Sequence, residues 1–71
     1  MTIETKYNIG DEVWVSNVFG DTFNVTIYGV MVEVIDNKVL IDYRVGFDRD
    51  YCHLRKEELV FPTKEELLKS L

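Results

Sequence analysis

The chain has few of the residues on which most catalytic and metal sites depend. It contains one proline, one cysteine, Cys52, and one histidine, His53. A lone cysteine excludes an internal disulfide. One cysteine and one histidine also fall short of the ~4 ligands of a structural zinc site. Adjacent residues of a strand point to opposite faces, which excludes a Cys52–His53 catalytic pair. We therefore expect no enzyme, no metal and no cofactor, with Cys52 and Leu54 in the core and His53 exposed.

Long apolar runs and an excess of basic residues are also missing. No stretch approaches the ~20 apolar residues that a membrane-spanning helix needs, so we expect no membrane contact. Lys and Arg number 8 against 13 Asp and Glu, a net charge of −5. The scarcity of cysteine is typical of a reducing interior, and we expect a cytoplasmic protein. The 71 residues, 46% of them hydrophobic, suffice for one domain with a small core.

The acidic excess lies in the first three quarters of the chain. Residues 1–54 carry four basic and nine acidic side chains, whereas residues 55–71 carry four of each. Non-specific nucleic-acid affinity comes from cations that displace counterions, so this acidic body disfavours it. Nucleic-acid binding stays an alternative if the basic residues of one stretch gather on one face. These are Arg44, Arg49, Arg55 and Lys56, which could equally be solvated partners of nearby aspartates.

The hydrophobic pattern predicts short β-strands. Alternation from Glu12 to Phe19 places Val13 and Val15 on one face and Trp14 on the other. The apolar run from Phe23 to Ile35 changes parity at Gly29, which predicts a β-bulge or a corner there and restores an inward face for the valines that follow. After a tight turn at residues 36–38, residues 39–45 alternate and complete a hairpin. We expect a polar loop over residues 46–50 and a further short strand over residues 51–54.

The last part of the chain has a helical signature. Pro62 prevents a continuing strand ladder, and Thr63 followed by Glu66 forms a capping box. We expect a helical turn near residues 56–58 and a helix over about residues 64–71. Its leucines, Leu67, Leu68 and Leu71, share one side and must dock on the barrel or on another subunit, because so short a helix is unstable alone.

Together these elements predict an all-β fold. We expect residues 1–71 to form a single domain, a small five-stranded SH3-like barrel over about residues 7–61 followed by the short C-terminal α-helix. An OB-like barrel is the alternative, although it usually needs a longer chain and a helix between its middle strands.

Two stretches resemble known small barrels. Residues 7–15, YNIGDEVWV, resemble the opening of Tudor, KOW and other SH3-like barrels. Residues 58–68, ELVFPTKEELL, resemble the end of small SH3-like barrel proteins from phages and prophages of Gram-positive bacteria, which tend to end in L-F-x-T-K-E-E-A and a short helix. The chain departs from that pattern at Val60, an inserted residue, and at Leu67, where a small residue is usual. The resemblance implies a fold and a phage or mobile-element setting, and no activity.

Aromatic residues are the strongest sign of a binding surface, and the chain has nine of them. If Val13 and Val15 are core, Trp14 points outward, and if Val25 and Ile27 are core, so does Tyr28. Tyr51 points away from Cys52, and Phe47 stands at a loop tip. Such a cluster with acidic surroundings suits a partner surface bearing arginine, or forms a cage for a cation. In the other interpretation, Trp14 and Tyr28 pack under the N-terminal segment or the final helix. The predicted partner-binding residues are Trp14, Tyr28, Tyr51 and, at the loop tip, Phe47.

Three functional hypotheses follow. The leading one is a non-enzymatic binding module, encoded by a phage or mobile element, that binds and modulates a host protein, for example as a host-defence inhibitor. The second is a nucleic-acid-binding barrel that uses residues 44–56 and exposed aromatics. The third is a self-associating structural protein, a homo-oligomer formed through the C-terminal helix or a strand edge. A further hypothesis, an acidic surface that mimics DNA, ranks below these three because a charge of −5 is modest for such a mimic.

Overall fold

The structure, a computed structural model, describes residues 3–71, which form one antiparallel sheet and a short terminal helix. The sheet is open, with its strands in the order β1-β2-β3-β4. This mostly β architecture agrees with the sequence prediction at the level of an antiparallel sheet followed by a helix. The elements are β1 (Glu12–Ser16), β2 (Thr22–Ile35), β3 (Lys38–Asp48), β4 (Tyr51–Lys56), a 3₁₀ turn (Glu57–Leu59) and α1 (Lys64–Ser70).

The described residues form four strands rather than the five expected, and no fifth strand closes the sheet. After the 3₁₀ turn the chain returns to β1 through one isolated bridge between Trp14 and Phe61. The Trp14 N–H donates to the Phe61 carbonyl at 2.7 Å, and the Phe61 N–H donates to the Trp14 carbonyl at 3.0 Å. Pro62 follows immediately and has no N–H to donate, so the pairing ends after a single residue.

The break in parity near Gly29 is a β-bulge, as the sequence predicts. Ile27 pairs with Val45 and Gly29 pairs with Arg44, which leaves Tyr28 without a partner in β3. The extra residue keeps Val30, on the far side of the bulge, packed against the core. The bulge therefore lets β2 run as one strand of 14 residues instead of two.

The expected loop over residues 46–50 is wrong in extent. β3 continues to Asp48, and only Arg49 and Asp50 form the turn to β4. A second bulge explains the difference, because Gly46 pairs with Cys52 and Asp48 with Tyr51, and Phe47 between them has no partner. A glycine and polar residues look like a loop in sequence, although a bulge keeps them in the ladder.

The tip of the β2–β3 hairpin extends beyond the core. Asp36 and Asn37 have positive φ angles of 50° and 65°, which fits a two-residue type I′ turn and confirms the predicted tight turn. Residues 31–40 are all exposed. Val32 and Val34, expected to face inward, are 43% and 50% exposed. They do lie on the inward face, opposite apolar residues of β3, but no element of the described chain covers it.

A small core is formed by residues of β1, β2 and β3 together with Val60, and one of its side chains is a tyrosine. Tyr43 is 0% exposed. Its hydroxyl donates to Glu57 Oε2 at 2.6 Å and accepts the Tyr7 N–H at 3.3 Å. Burial, and then the hydrogen bond to Glu57, raise the pKa of Tyr43 to about 12. The other buried core residues are Val13, Val15, Val25, Ile27, Val45 and Val60.

The terminal helix is capped as expected and docks through one leucine. Thr63 Oγ1 accepts the Glu66 N–H at 3.2 Å, and the helix ends at Ser70, one residue earlier than expected. Leu67 is 1% exposed, while Leu68 and Leu71 remain 51% and 66% exposed. The helix contacts β1, so one of the three leucines is enough to hold it against the sheet.

Candidate functional site

An open groove of about 320 Å³ lies at the end of the sheet where β3 turns into β4. Its floor consists of the core residues Val15, Val25 and Val45, and its sides carry three aromatic side chains. Two of these, Phe47 and Tyr51, are 73% and 78% exposed. We call this site the aromatic groove; its side walls are formed by Phe23, Phe47, Tyr51, His53 and Arg55.

Two local features of β3 build the groove. The bulge at Phe47 adds one residue to the strand and re-aims its side chain, which then meets Phe23 edge-on with ring centroids 5.9 Å apart. At Gly46 a Cβ atom would collide with the backbone carbonyl oxygen of Tyr51. Only glycine therefore lets the Tyr51 backbone of β4 approach β3 this closely.

The groove also has a polar side, supplied by β4. His53 pairs with Val45 and Arg55 with Tyr43, and directly opposite residues share a face of the sheet. Both side chains therefore point to the side of the sheet on which the core and the groove lie. The Arg55 Nη1 group donates to the Leu54 carbonyl at 3.1 Å, which directs part of its guanidinium charge to the backbone. The hydrocarbon stem of Arg55 adds apolar surface to the wall.

This arrangement can hold an apolar or aromatic side chain. The cavity lies at the lower end of the size range of small-ligand sites, and its floor is already dry core. Asp48 at the end of β3 and Asp50 in the turn are exposed and adjoin Phe47 and Tyr51 along the chain, with Arg49 between them. With Arg55 in the groove wall, the surroundings of the groove carry charges of both signs.

Of the four predicted partner-binding aromatics, the structure brings two together. Phe47 and Tyr51 form the groove, whereas Trp14 and Tyr28 are partly buried elsewhere. Trp14 pairs with Phe61, and the ammonium of Lys64 in α1 lies 5.7 Å from the centre of its ring. Trp14 thus packs beside the terminal helix, and Tyr28 lies at the bulge in β2.

The sequence-based choice of residues missed Phe23 and His53, and it considered Arg55 only for nucleic-acid binding. Phe23 shares the parity of Val25 and Ile27, so the alternation did place it on the inward face, as an ordinary core residue. Because β1 and the short β4 do not close the sheet there, the inward face becomes the wall of a groove. His53 was treated as a surface residue and is exposed, but it lines the same groove.

The expected burial of Leu54 is wrong, because this side chain is 50% exposed. It pairs with Arg44 on the face of the sheet opposite the core. Cys52 is partly buried, and its thiol donates to the carbonyl oxygens of Asp48 and Arg49 at 3.2 and 3.3 Å. The cysteine thus packs against the β3–β4 turn rather than in the core.

The four basic residues considered for nucleic acid do not share one face. Arg44 and Lys56 lie on the outer side of β3 and β4, opposite Leu54 and Asp42 respectively. Arg55 lies on the inner side, in the groove, and Arg49 is in the turn. A single cationic surface built from all four is therefore not what the fold presents.

A second cavity, of about 850 Å³, lies between β4 and α1, and its lining includes Leu54, Leu59, Leu67 and Leu71. It is wide and open, and its apolar lining continues the exposed side of the helix.

Within residues 3–71, no three His, Cys, Asp or Glu side chains are grouped closely enough to hold a metal ion. None of the helices in this part of the chain is long and apolar enough to cross a membrane.

Comparison with protein-family models, curated proteins and solved structures finds no match to this chain. The resemblance to phage-type SH3-like barrels therefore stays an expectation from two short motifs. The function has to be argued from the groove and the strand edges themselves.

Proposed function

We propose that this protein is a non-enzymatic binding module with an SH3-like barrel plan, and that the aromatic groove is its contact site for another protein. The observation that carries the proposal is that two exposed aromatic residues, Phe47 and Tyr51, line the same groove above a floor of core valines. Large aromatic side chains next to a preformed apolar pocket are the usual energetic centre of a protein interface.

The connectivity supports the SH3-like plan. Four antiparallel strands follow one another in order, a 3₁₀ turn comes after β4, and the chain then returns to the first strand. In this plan the single Trp14–Phe61 bridge takes the place of a short final strand. The proposed setting, a phage or mobile-element protein acting on a host protein as a host-defence inhibitor, follows from the resemblance of the tail.

The partner is proposed to be a protein segment with an apolar or aromatic anchor among basic residues. The anchor would contact Phe23, Phe47 and Tyr51. Asp48 and Asp50 are offset nearby by Arg49 and Arg55, so the attraction for basic residues comes from the net charge of −5 of the chain, which also opposes nucleic acid. The separation of the four basic residues onto different faces favours protein over nucleic acid as the partner.

The test is affinity capture from nuclease-treated bacterial lysate, followed by direct measurement of Kd with the purified captured protein. Phe47→Ala and Tyr51→Ala should each weaken binding by about 30-fold or more, the size of an interface hot spot. Phe19→Ala is the matched control, because Phe19 is 85% exposed and lies outside the groove. We expect it to bind normally.

Two outcomes would contradict the proposal. If the groove variants, still folded by circular dichroism, bind as tightly as Phe19→Ala, the contact site lies elsewhere. If recovery of every partner depends on nucleic acid in the lysate, the alternative hypothesis of a nucleic-acid-binding barrel replaces this one.

A further inference from the structure

One long edge of the sheet is left without a partner. β1 pairs with β2 only as far as Thr26, and the backbone of Ile27 is bonded to Gly10 and Asp11. Beyond that point, in the described part of the chain, no strand pairs with β2 on the side away from β3. Residues 28–35 therefore present a row of backbone donors and acceptors that is available to another strand.

This edge has the composition of a central strand. Met31 and Ile35 on one face are 52% and 46% exposed, and Val32 and Val34 on the other are 43% and 50% exposed. Glu33 is the only charged residue between positions 28 and 35, and there is no proline. Natural edge strands are usually protected by lysine, proline, short length or a covering element. Apolar residues on both faces are typical of a strand whose two faces are covered, and not of a solvated edge.

The exposed area of the whole chain is large for its size. The described fold exposes 5450 Å², whereas a monomer of 8.3 kDa exposes about 4,600 Å². The excess, roughly 850 Å², is close to the ~800 Å² that each partner contributes to a standard interface. Six of the exposed large hydrophobic side chains, Met31, Val32, Val34, Ile35, Val39 and Leu40, belong to the hairpin.

We propose that the occupant of this edge is a second copy of the chain. Residues 29–35 of the two copies pair as antiparallel strands about a two-fold axis, and the two sheets join into one. A two-fold interface uses the same patch twice, so it needs a surface that is complementary to itself. An uncharged apolar strand with one acidic residue meets that condition, provided that the two glutamates do not lie opposite each other.

The register follows from faces and charge. A two-fold axis perpendicular to the sheet places each residue number opposite another of the same parity, so the apolar inner faces stay on one side. With the axis at Val32, this residue opposes its own copy and Glu33 opposes Met31 of the second copy. With the axis at Glu33, two carboxylates would face each other, which is unfavourable. The Val32 register covers seven residues, from Gly29 to Ile35. An axis at Met31 would also separate the glutamates, but it needs Tyr28, the bulged residue, in the ladder.

The first test is the mass in solution, measured by sedimentation equilibrium over a wide range of concentration. We expect the wild-type protein to reach twice 8.3 kDa. Val32→Lys places two ammonium groups opposite each other at the axis and should weaken dimerisation by about a hundredfold. Val18→Lys, a matched change at a side chain 94% exposed in the β1–β2 loop, should leave the dimer intact.

The second test reads the register directly and keeps the proposal testable if Val32→Lys does not fold. In a Cys52→Ser background, Val32→Cys should form a disulfide-linked dimer on mild oxidation, since the Cα atoms of opposed residues lie about 4.5–5.5 Å apart, within the range that a disulfide spans. Ile35→Cys should not, because its copies would be about 20 Å apart along the strands. A protein that stays monomeric, a dimer unaffected by Val32→Lys, or efficient cross-linking at Ile35→Cys would overturn the proposal. So would assemblies that grow without limit, since two-fold pairing is closed.

Discussion

Tyr43→Phe would show how much of the fold depends on one buried hydroxyl. This group donates to Glu57 Oε2 at 2.6 Å and accepts the Tyr7 N–H at 3.3 Å. The Tyr7 ring packs edge-on against the Tyr43 ring, with centroids 5.5 Å apart. The Lys6 N–H donates to the same carboxylate oxygen at 3.3 Å. The N-terminal segment, β3 and the 3₁₀ turn therefore meet at this hydroxyl.

The expected loss can be worked out from the geometry. Phenylalanine keeps the ring of Tyr43, which is 0% exposed, so no large cavity forms. What is lost is a hydrogen bond to a charged group, worth about 1.5–3 kcal/mol. The total stability of a chain of this length is roughly 4–11 kcal/mol, so the change is a substantial share of it. We expect Tm to fall by roughly 6–24 °C.

The assay is urea unfolding followed by circular dichroism, with Tyr51→Phe as the control. Tyr51 is 78% exposed, so loss of its hydroxyl should change the free energy of unfolding by less than about 0.5 kcal/mol. Combining Tyr43→Phe with Glu57→Gln in a double-mutant cycle isolates the pair, and we expect a coupling of about 0.5–3 kcal/mol. If Tyr43→Phe is as stable as Tyr51→Phe, the hydroxyl does not hold these segments together and the reasoning fails.

Further predictions concern pH, the groove and the helix. Because burial raises the pKa of Tyr43 to about 12 from 10.0, the unfolded chain loses this proton first; the associated stability is complete below pH 10 and is lost between pH 10 and 12. Urea unfolding across that range should show a flatter decline for Tyr43→Phe. Gly46→Ala forces a Cβ against the Tyr51 backbone and should cost about 1–3 kcal/mol in urea unfolding. Leu67→Ala should cost about 2–5 kcal/mol by the same measurement, against less than about 1.5 kcal/mol for half-exposed Leu68→Ala. Thr63→Ala removes the helix cap and should cost about 1 kcal/mol, measured by thermal unfolding.

Local chemistry explains the elements that the sequence predicted well. The alternation around Val13 and Val15 identified the inner face of β1, and both residues are buried. The change of parity at Gly29 identified the bulge in β2. Thr63 and Glu66 identified the start of the helix, and their backbone–hydroxyl hydrogen bond is present. Each of these signals involves residues only a few positions apart, so one sequence is enough to recognise it.

What the sequence could not predict depends on which elements cover one another. Periodicity correctly put Val32 and Val34 on the inward face, but it cannot tell that β1 ends too early to curve over them. Leu54 also looks like a core residue in sequence. It lies on the face of the sheet opposite the core, where its side chain is half exposed. Burial in a small open sheet is decided by distant segments, and the alternation of side chains carries no information about those.

The candidate site was predicted in part for a related reason. Outward-pointing aromatics were chosen on the assumption that the face away from the core is the free one. Trp14 does lie on that face, yet the terminal helix packs beside it. The groove lies on the inner face instead, where the sheet opens and Phe23 and Tyr51 are left uncovered. Phe47 was selected as a loop tip, and it contributes because a bulge, not a loop, turns its side chain.

The groove and the centre of the free edge lie towards opposite ends of the β2–β3 hairpin. Val32, at the proposed axis, pairs with Ile41, and Phe47 in the groove lies six residues further along β3, roughly 20 Å away. Pairing through residues 29–35 would therefore leave both grooves open. The two proposals stand or fall separately, since Tyr51→Ala removes a groove contact without touching the edge and Val32→Lys does the reverse. If both hold, the dimer is bivalent, and it binds a repeated or dimeric partner more tightly than either groove alone.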